Sequence, residues 1–430
     1  MPACLLTSPP PAGVDGEGLT RCDLVLRDGF IAEIEPPGRA STTDEQVLNL
    51  DGGMVWPGFI DCHTHLDKGH IWPRTPNPDG TFMGALNATR ADSSGYWRAS
   101  DVQARFDFGL ACAYAHGTTA IRTHLDSFGE QIDISWDVFD GLRDKWAGKL
   151  ALQAVCLTLP ALLIEAEGAN LARRVARSDG VLGCVLRGEP GLDEMLDAII
   201  RLAETHGLGL DFHVDECADP DARGVAAVAA AINRHRFQGP AMLGHCCNLA
   251  QQPAEEAART VDAIAAAGIA VVSLPMCNLF LQGRDPGRTP RWRGVTLLHE
   301  LAAAGATVAV ASDNCRDPFY AYGDLDMVEV FREATRIAHF DCQPGPAAFG
   351  TWPAAATRGP ATAMGLGTAG TVTKGAPADL VLFRARSFTE LLSRPQMDRI
   401  VLRGGAAIET TLPDYRTLDH LFDPAISPRT

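Results

Sequence analysis

Apolar and polar positions alternate through the central chain in blocks of two kinds. Short apolar runs of strand character fall at 54–60, 118–122, 150–157, 180–186, 207–212, 240–244, 268–274 and 306–311. Between them lie segments whose apolar positions recur at helical spacing: 101–114, 132–145, 192–205, 225–233, 254–267 and 297–304, with 325–338 after the last strand. Eight strand–helix alternations over about 310 residues predict a (β/α)8 TIM barrel. A doubly wound open sheet is the rival, but it would want a glycine-rich phosphate turn after its first strand, where Asp61-Cys62-His63 stands.

The two ends read differently. Residues 22–34 form two short strands around the turn Asp28-Gly29, and 378–383 and 400–408 are also hairpin-like. Neither end can bury a core alone. They are therefore expected to pair into one small β-sandwich domain beside the barrel. The expected division is 1–55 and 365–430 for that domain and 56–364 for the barrel, with a pattern-poor tail after Pro413 winding over the surface.

Composition narrows the function classes. With 46% hydrophobic and 21% charged residues the chain can bury a sizeable core. A net charge of −16 argues against nucleic-acid and anionic-membrane partners. The start shows no basic segment followed by a long apolar stretch, and the longest apolar run, 150–164, is too short to span a bilayer. Twelve scattered cysteines without a C-x-x-C pair read as reduced thiols, and a cytoplasmic location is expected.

Chemistry enters at the strand ends. His63 and His65 lie two apart on a strand, so their imidazoles share a face and offer two neutral nitrogens to one ion. In a barrel, residues at strand C-termini converge on one mouth. That rule gathers His63, His65, His124, His213, His245 and Asp313. Three histidines and an aspartate would make an N3O site for Zn²⁺ or Fe²⁺ with a position open for water. Glu216, three residues past His213, is placed to shuttle protons. Of the four lysines, 68, 145, 149 and 374, none stands at the end of the fourth strand to bridge two metals, which favours a single ion.

The residues 57–67, 121–126, 211–216, Gly244-His245, 281–284, Ser312-Asp313-Asn314, 317–320 and 375–381 resemble the cytosine deaminase branch of the amidohydrolase superfamily over nearly the whole chain. The resemblance implies that His63, His65, His213 and Asp313 bind one divalent metal, Zn or Fe, and that Glu216 protonates a ring nitrogen. It further implies that His245 orients the attacking hydroxide and Asp313 relays its proton to the departing ammonia. The implied reaction is hydrolytic deamination of a small amino-substituted N-heterocycle: cytosine or a related pyrimidine, triazine or cyclic amidine. Substrate-reading positions depart from that branch. Leu159 stands where it has a glutamine, Asn314 where it has a second aspartate, and Phe319 where it has a tryptophan. Asp313-Asn314 is also similar to the N-isopropylammelide amidohydrolases, although these lack the pattern kept at His213 and Glu216. His124, Gln282 and Arg284 complete the candidate substrate contacts. The alternatives are a ring-opening cyclic amidase, an N-alkylammelide-type aminohydrolase and a non-catalytic scaffold. Homo-oligomers are common in this superfamily, and no stoichiometry follows from the chain.

Overall fold

The computed structural model describes residues 1–7, 9–39, 47–342, 345 and 347–423. Eight parallel strands follow one another: Phe59–Thr64, Thr118–Asp126, Ala151–Leu157, Val185–Leu186, Leu210–Val214, Ala241–His245, Ala270–Ser273 and Val308–Val310. The first three form one hydrogen-bonded arc and the last five another. At one seam Val155 bridges Val181, and Cys156 N donates to Val181 O at 3.1 Å. At the other Thr64 bridges Asp313, whose N donates to His63 O at 2.9 Å. The architecture is the TIM barrel that the pattern predicts. Its fourth strand is short, and just before it Gly183 packs so closely between its neighbours that a Cβ would stand 2.3 Å from Asp211 O and 2.6 Å from Val155 Cγ1.

The strand expected over 54–60 divides in two. Val55–Pro57 leaves the barrel and pairs antiparallel with Leu380–Leu382, which in turn pairs with Ile400–Arg403. The barrel strand starts only at Phe59, after Gly58 N has donated to Asp379 O at 2.8 Å. A continuous apolar run therefore serves two cores, and periodicity cannot show the break because both sides are buried. The hairpin Asp23–Arg27/Phe30–Glu35 joins the C-terminal segment through Ile31 N to Ala376 O and Ala378 N to Gly29 O, each 2.9 Å. The two chain ends are thus hydrogen-bonded to one another, the hairpin as one sheet and the C-terminal strands with Val55–Pro57 as a second. The tail is better anchored than its pattern suggests: the turn Tyr415–Leu421 buries Leu418 and Leu421 against Phe108 and Cys112.

Several helices fall outside the segments of helical spacing, among them Ala166–Arg177 and, at the barrel mouth, Phe82–Tyr96. Phe82–Tyr96 carries a weak apolar stripe, but Thr81 caps it by accepting from Gly84 N at 2.9 Å. Its Phe82 and Ala85 pack with Cys277, Leu281 and Phe319 over the barrel mouth. Below the mouth, inward-facing Arg122 spans the barrel, donating to Asp211 at 2.9 Å and to Gln153 at 2.9 Å. This buried polar layer is the floor on which the histidines rest. Among the described residues no helix is long and apolar enough to cross a membrane, and all twelve cysteines are free thiols.

Candidate active site

Strand alternation does what the sequence suggests. His63, His124, His213 and His245 come from the first, second, fifth and sixth barrel strands, with His65 just past the first and Asp313 just past the eighth. All six are buried. His213 Nε2 lies 3.1 Å from both His63 Nε2 and His65 Nε2. Asp313 Oδ1 lies 3.2 Å from His65 Nε2 and 3.6 Å from His63 Nε2. Two nitrogens bound to one ion at about 2.0–2.1 Å are about 2.9–3.4 Å apart for bond angles of roughly 90–110°. Three of the four distances fall in that range and the fourth, 3.6 Å, is slightly wider, a spacing into which a divalent ion fits with a small inward shift of Asp313 or His63.

The donor chemistry agrees. One His213 nitrogen cannot hydrogen-bond usefully to two other imidazole nitrogens at once, and both Asp313 oxygens lack a hydrogen-bond partner. Burial drives His63, His65, His124 and His213 well below the usual imidazole range, with neighbouring imidazoles and cations adding to the effect. They are neutral, the form that ligates. Among the described residues, His63–His124–His213 and His63–His245–Asp313 each keep their potential ligand atoms within 4.8 Å of one another. His65 stands outside both, yet it lies 3.1 Å from His213 Nε2 and 3.2 Å from Asp313 Oδ1, so it is within reach of an ion held there. His124 packs against His63 with ring centroids 4.0 Å apart and the planes tilted by 39°, and neither of its nitrogens has a hydrogen-bond partner.

Backbone strain aims these groups. Asp313, His245 and Asp215 adopt positive φ angles of 63°, 69° and 49°, a conformation that non-glycine residues hold only where the surroundings impose it. Gly244 is a glycine of necessity, because a Cβ there would lie 2.8 Å from His63 Cε1.

Around this centre stand the groups that could move protons. Burial raises Glu216 well above the usual carboxylate range, and the Asp313 charge adds to the rise. Its Oε1 lies 3.4 Å from His245 Nδ1. Burial also pushes the His245 imidazole down to about 3, so it is neutral near pH 7. Asn278, on the helix Pro275–Leu281 after the seventh strand, reaches both: its Nδ2 is 3.2 Å from Glu216 Oε1 and 2.9 Å from His245 Nδ1. The sequence reading passed over Asn278, and an asparagine inside an apolar stretch was the only signal it gave.

The candidate substrate contacts scatter. Phe319 lines the mouth beside Phe82, ring centroids 5.4 Å apart, with Lys68 Nζ 5.2 Å from its centroid. Asn314 is engaged at both ends of its amide, donating to Asp317 Oδ2 at 2.7 Å and lying 3.5 Å from Cys277 Sγ. Gln282 donates to Glu216 O at 3.2 Å, which ties the loop to the shuttle residue. Arg284 is exposed, its guanidinium 3.8 Å from the Phe280 centroid, and Leu159 is 44% exposed at the entry to the helix Pro160–Ile164. Lys68 is salt-bridged to Asp126 at 3.1 Å, and the fourth strand ends at Leu186, before Arg187. A lysine to bridge two ions is therefore absent from that strand end.

Known proteins resemble this chain along its length. The amidohydrolase family matches residues 46–125 and 146–411. A pterin deaminase from Rhizobium rhizogenes is 53% identical over 408 residues, covering 95% of this chain and 92% of that one. An N-isopropylammelide isopropyl amidohydrolase from a Pseudomonas species is 21% identical over 71% of this chain and 78% of its own. A 5-methylcytosine deaminase from Klebsiella pneumoniae superimposes with a TM-score of 0.78 at 23% identity, covering 93% and 97% of the two chains. The last likeness shows the shared fold. The first, with the family match over most of the sequence, shows more: this chain belongs to the amidohydrolase family.

Proposed function

We propose that the protein is a metal-dependent hydrolytic deaminase of an amino-substituted N-heterocycle, with a pterin as the first substrate to try. One observation carries this reading: three neutral buried histidines and an aspartate with ion-sized spacing face a raised carboxyl at Glu216, in a chain 53% identical to a pterin deaminase. A pterin keeps the amino-pyrimidine ring expected from the sequence and fuses a second ring to it. The aromatic edge at Phe82 and Phe319 offers that ring an apolar surface.

His63, His65, His213 and Asp313 would hold the ion, with His124 packed against His63 as a further nitrogen in reach. A divalent ion there, Zn²⁺ or Fe²⁺, would supply Lewis acidity that makes water nucleophilic near neutral pH. Glu216 enters the reaction protonated, because its buried site disfavours the charge, and delivers that proton to the ring nitrogen beside the attacked carbon. Neutral His245 hydrogen-bonds oxygen at the reacting carbon; Asp313 takes a proton from the attacking water and passes it to the amino group that leaves as ammonia, and the second water proton restores Glu216. Burial of the histidines and Asp313, with the Glu216 side chain only 13% exposed, limits the access of bulk water to these protons.

The test is ammonia release by metal-replete protein from pterin, cytosine, 5-methylcytosine, guanine, isocytosine, creatinine, ammeline and N-alkyl ammelides. Turnover of pterin with the smaller rings silent supports the two-ring reading. No ammonia from any compound, with one ion bound per chain, refutes deamination. A ring-opening cyclic amidase is the second reading, and two ions per chain with ring opening of a cyclic amide would favour it.

A further inference from the structure

Asn278 lies between the two groups to which proton traffic has just been assigned. Its side chain is fully buried, and its Nδ2 lies 3.2 Å from Glu216 Oε1 and 2.9 Å from His245 Nδ1. An amide nitrogen carries two protons, one for each. In this orientation the only group left without a partner on Asn278 is the acceptor Oδ1. The flipped amide would turn oxygen toward both neighbours and strand two buried N–H donors, the costlier arrangement. It would also require Glu216 to spend its proton on Asn278.

From this geometry we infer that Asn278 is a positioning residue that sets the protonation pattern of the site. Because His245 Nδ1 accepts from Asn278, the ring proton of neutral His245 resides on Nε2. That atom is buried and has no hydrogen-bond partner within the protein. His245 therefore presents a donor to the reacting oxygen and not a base. On Glu216, Oε1 accepts from Asn278, so the transferable proton rides on Oε2. Gln282 reinforces the arrangement by holding the Glu216 backbone carbonyl at 3.2 Å. The helix Pro275–Leu281 thereby becomes the element that selects which tautomer faces substrate. This inference rests on the deaminase reading for its role in catalysis, but the tautomer itself can be read without turnover.

The experiment is two-bond ¹H–¹⁵N correlation on zinc-loaded, histidine-labelled full-length protein, with His245 assigned by its loss in His245→Gln. The expected wild-type spectrum shows Nε2 protonated and Nδ1 bare. In Asn278→Asp the carboxylate accepts, and Nδ1 becomes protonated. In Asn278→Leu, of similar volume, both tautomers appear and kcat falls roughly 10–100-fold, as for other residues that orient a reacting group, with KM and the one-ion stoichiometry little changed. A wild-type His245 protonated at Nδ1 overturns the inference whatever the variants do. So does a folded, metal-loaded Asn278→Leu that keeps a single tautomer and wild-type kcat. Absence of deamination by the wild type with the expected tautomer in place would instead sink the functional reading alone.

Discussion

Asn314→Asp is the most informative single change, because the sequence and the structure expect different results from it. By resemblance, an aspartate here restores a group of the cytosine deaminases and should shift selectivity toward cytosine. The structure puts the Asn314 amide against a buried carboxylate, Asp317 Oδ2, at 2.7 Å. Burial pushes Asp317 up to about 6, with Lys68 and the Asn314 amide pulling it back, so at pH 8 it is charged. A second carboxylate at that distance ionises only at a cost, since two like charges 4 Å apart already repel by about 4 kcal/mol at an effective dielectric of 20. The variant escapes by keeping one proton. Holding a carboxyl of ordinary unfolded pKa near 3.9 protonated costs about 1.4 kcal/mol per pH unit, so the penalty is bounded near 5.5 kcal/mol at pH 8 and near 1.5 at pH 5. The sign follows from a folded pKa raised above the unfolded one: the loss grows as pH rises from about 4 and levels off above the folded value. Urea unfolding of both proteins at pH 5 and pH 8 measures it. The expected destabilisation is about 3–5 kcal/mol at pH 8, shrinking to about 1.5 at pH 5. Equal midpoints for the two proteins at pH 8 would show that Asn314 does not brace Asp317, and a gain in cytosine turnover would return it to the substrate pocket.

Four further outcomes follow from the same geometry. Glu216→Gln keeps the shape but cannot deliver a proton, so kcat should fall about 10²–10⁴-fold with the ion still bound, read by turnover beside metal analysis. In Gly244→Ala the new Cβ stands 2.8 Å from His63 Cε1, and metal content per chain should drop while far-UV circular dichroism stays native. Asp326→Asn breaks a buried two-point pair, with Arg399 Nη1 and Nη2 at 2.7 and 2.6 Å, that ties the helix Met327–Ala338 to the C-terminal segment; about 3–5 kcal/mol of stability should be lost. Burial works to raise Asp326, but Arg399 outweighs it and holds the carboxyl below its ordinary value. The pair's contribution is therefore present above the ordinary carboxylate range and fades as pH falls through the folded value, a fade that Asp326→Asn should lack in pH-dependent unfolding. Chelation should abolish ammonia release, and Zn²⁺ or Fe²⁺ should restore it near one equivalent per chain; full activity after exhaustive chelation would remove the ion from the reaction.

Sequence alone determined the barrel and the residues at its mouth. Strand alternation fixes that His63 and His65 share a face, and strand ends in a barrel meet at one rim, so residues scattered from 63 to 313 could be brought together on paper. Chemistry made them legible, because few side chains ligate metal and their type is written in the chain. Lost to that reading was whatever depends on a neighbour from another element. The run 54–60 looked like one strand because an apolar residue does not say which of two cores it fills. The helix Phe82–Tyr96 hid behind a weak stripe, being held by a cap and by aromatic contacts at the mouth. Asn278, Asn314 and Gln282 differ most of all. An amide can donate or accept, to protein or to substrate, and its sequence context is the same in each case. Only the tertiary structure decided their partners, because a hydrogen bond is chosen by the atoms within about 3 Å: for Asn278 and Gln282 those atoms lie on other elements, and Asn314 reaches Asp317 only because the loop after the eighth strand folds back on itself.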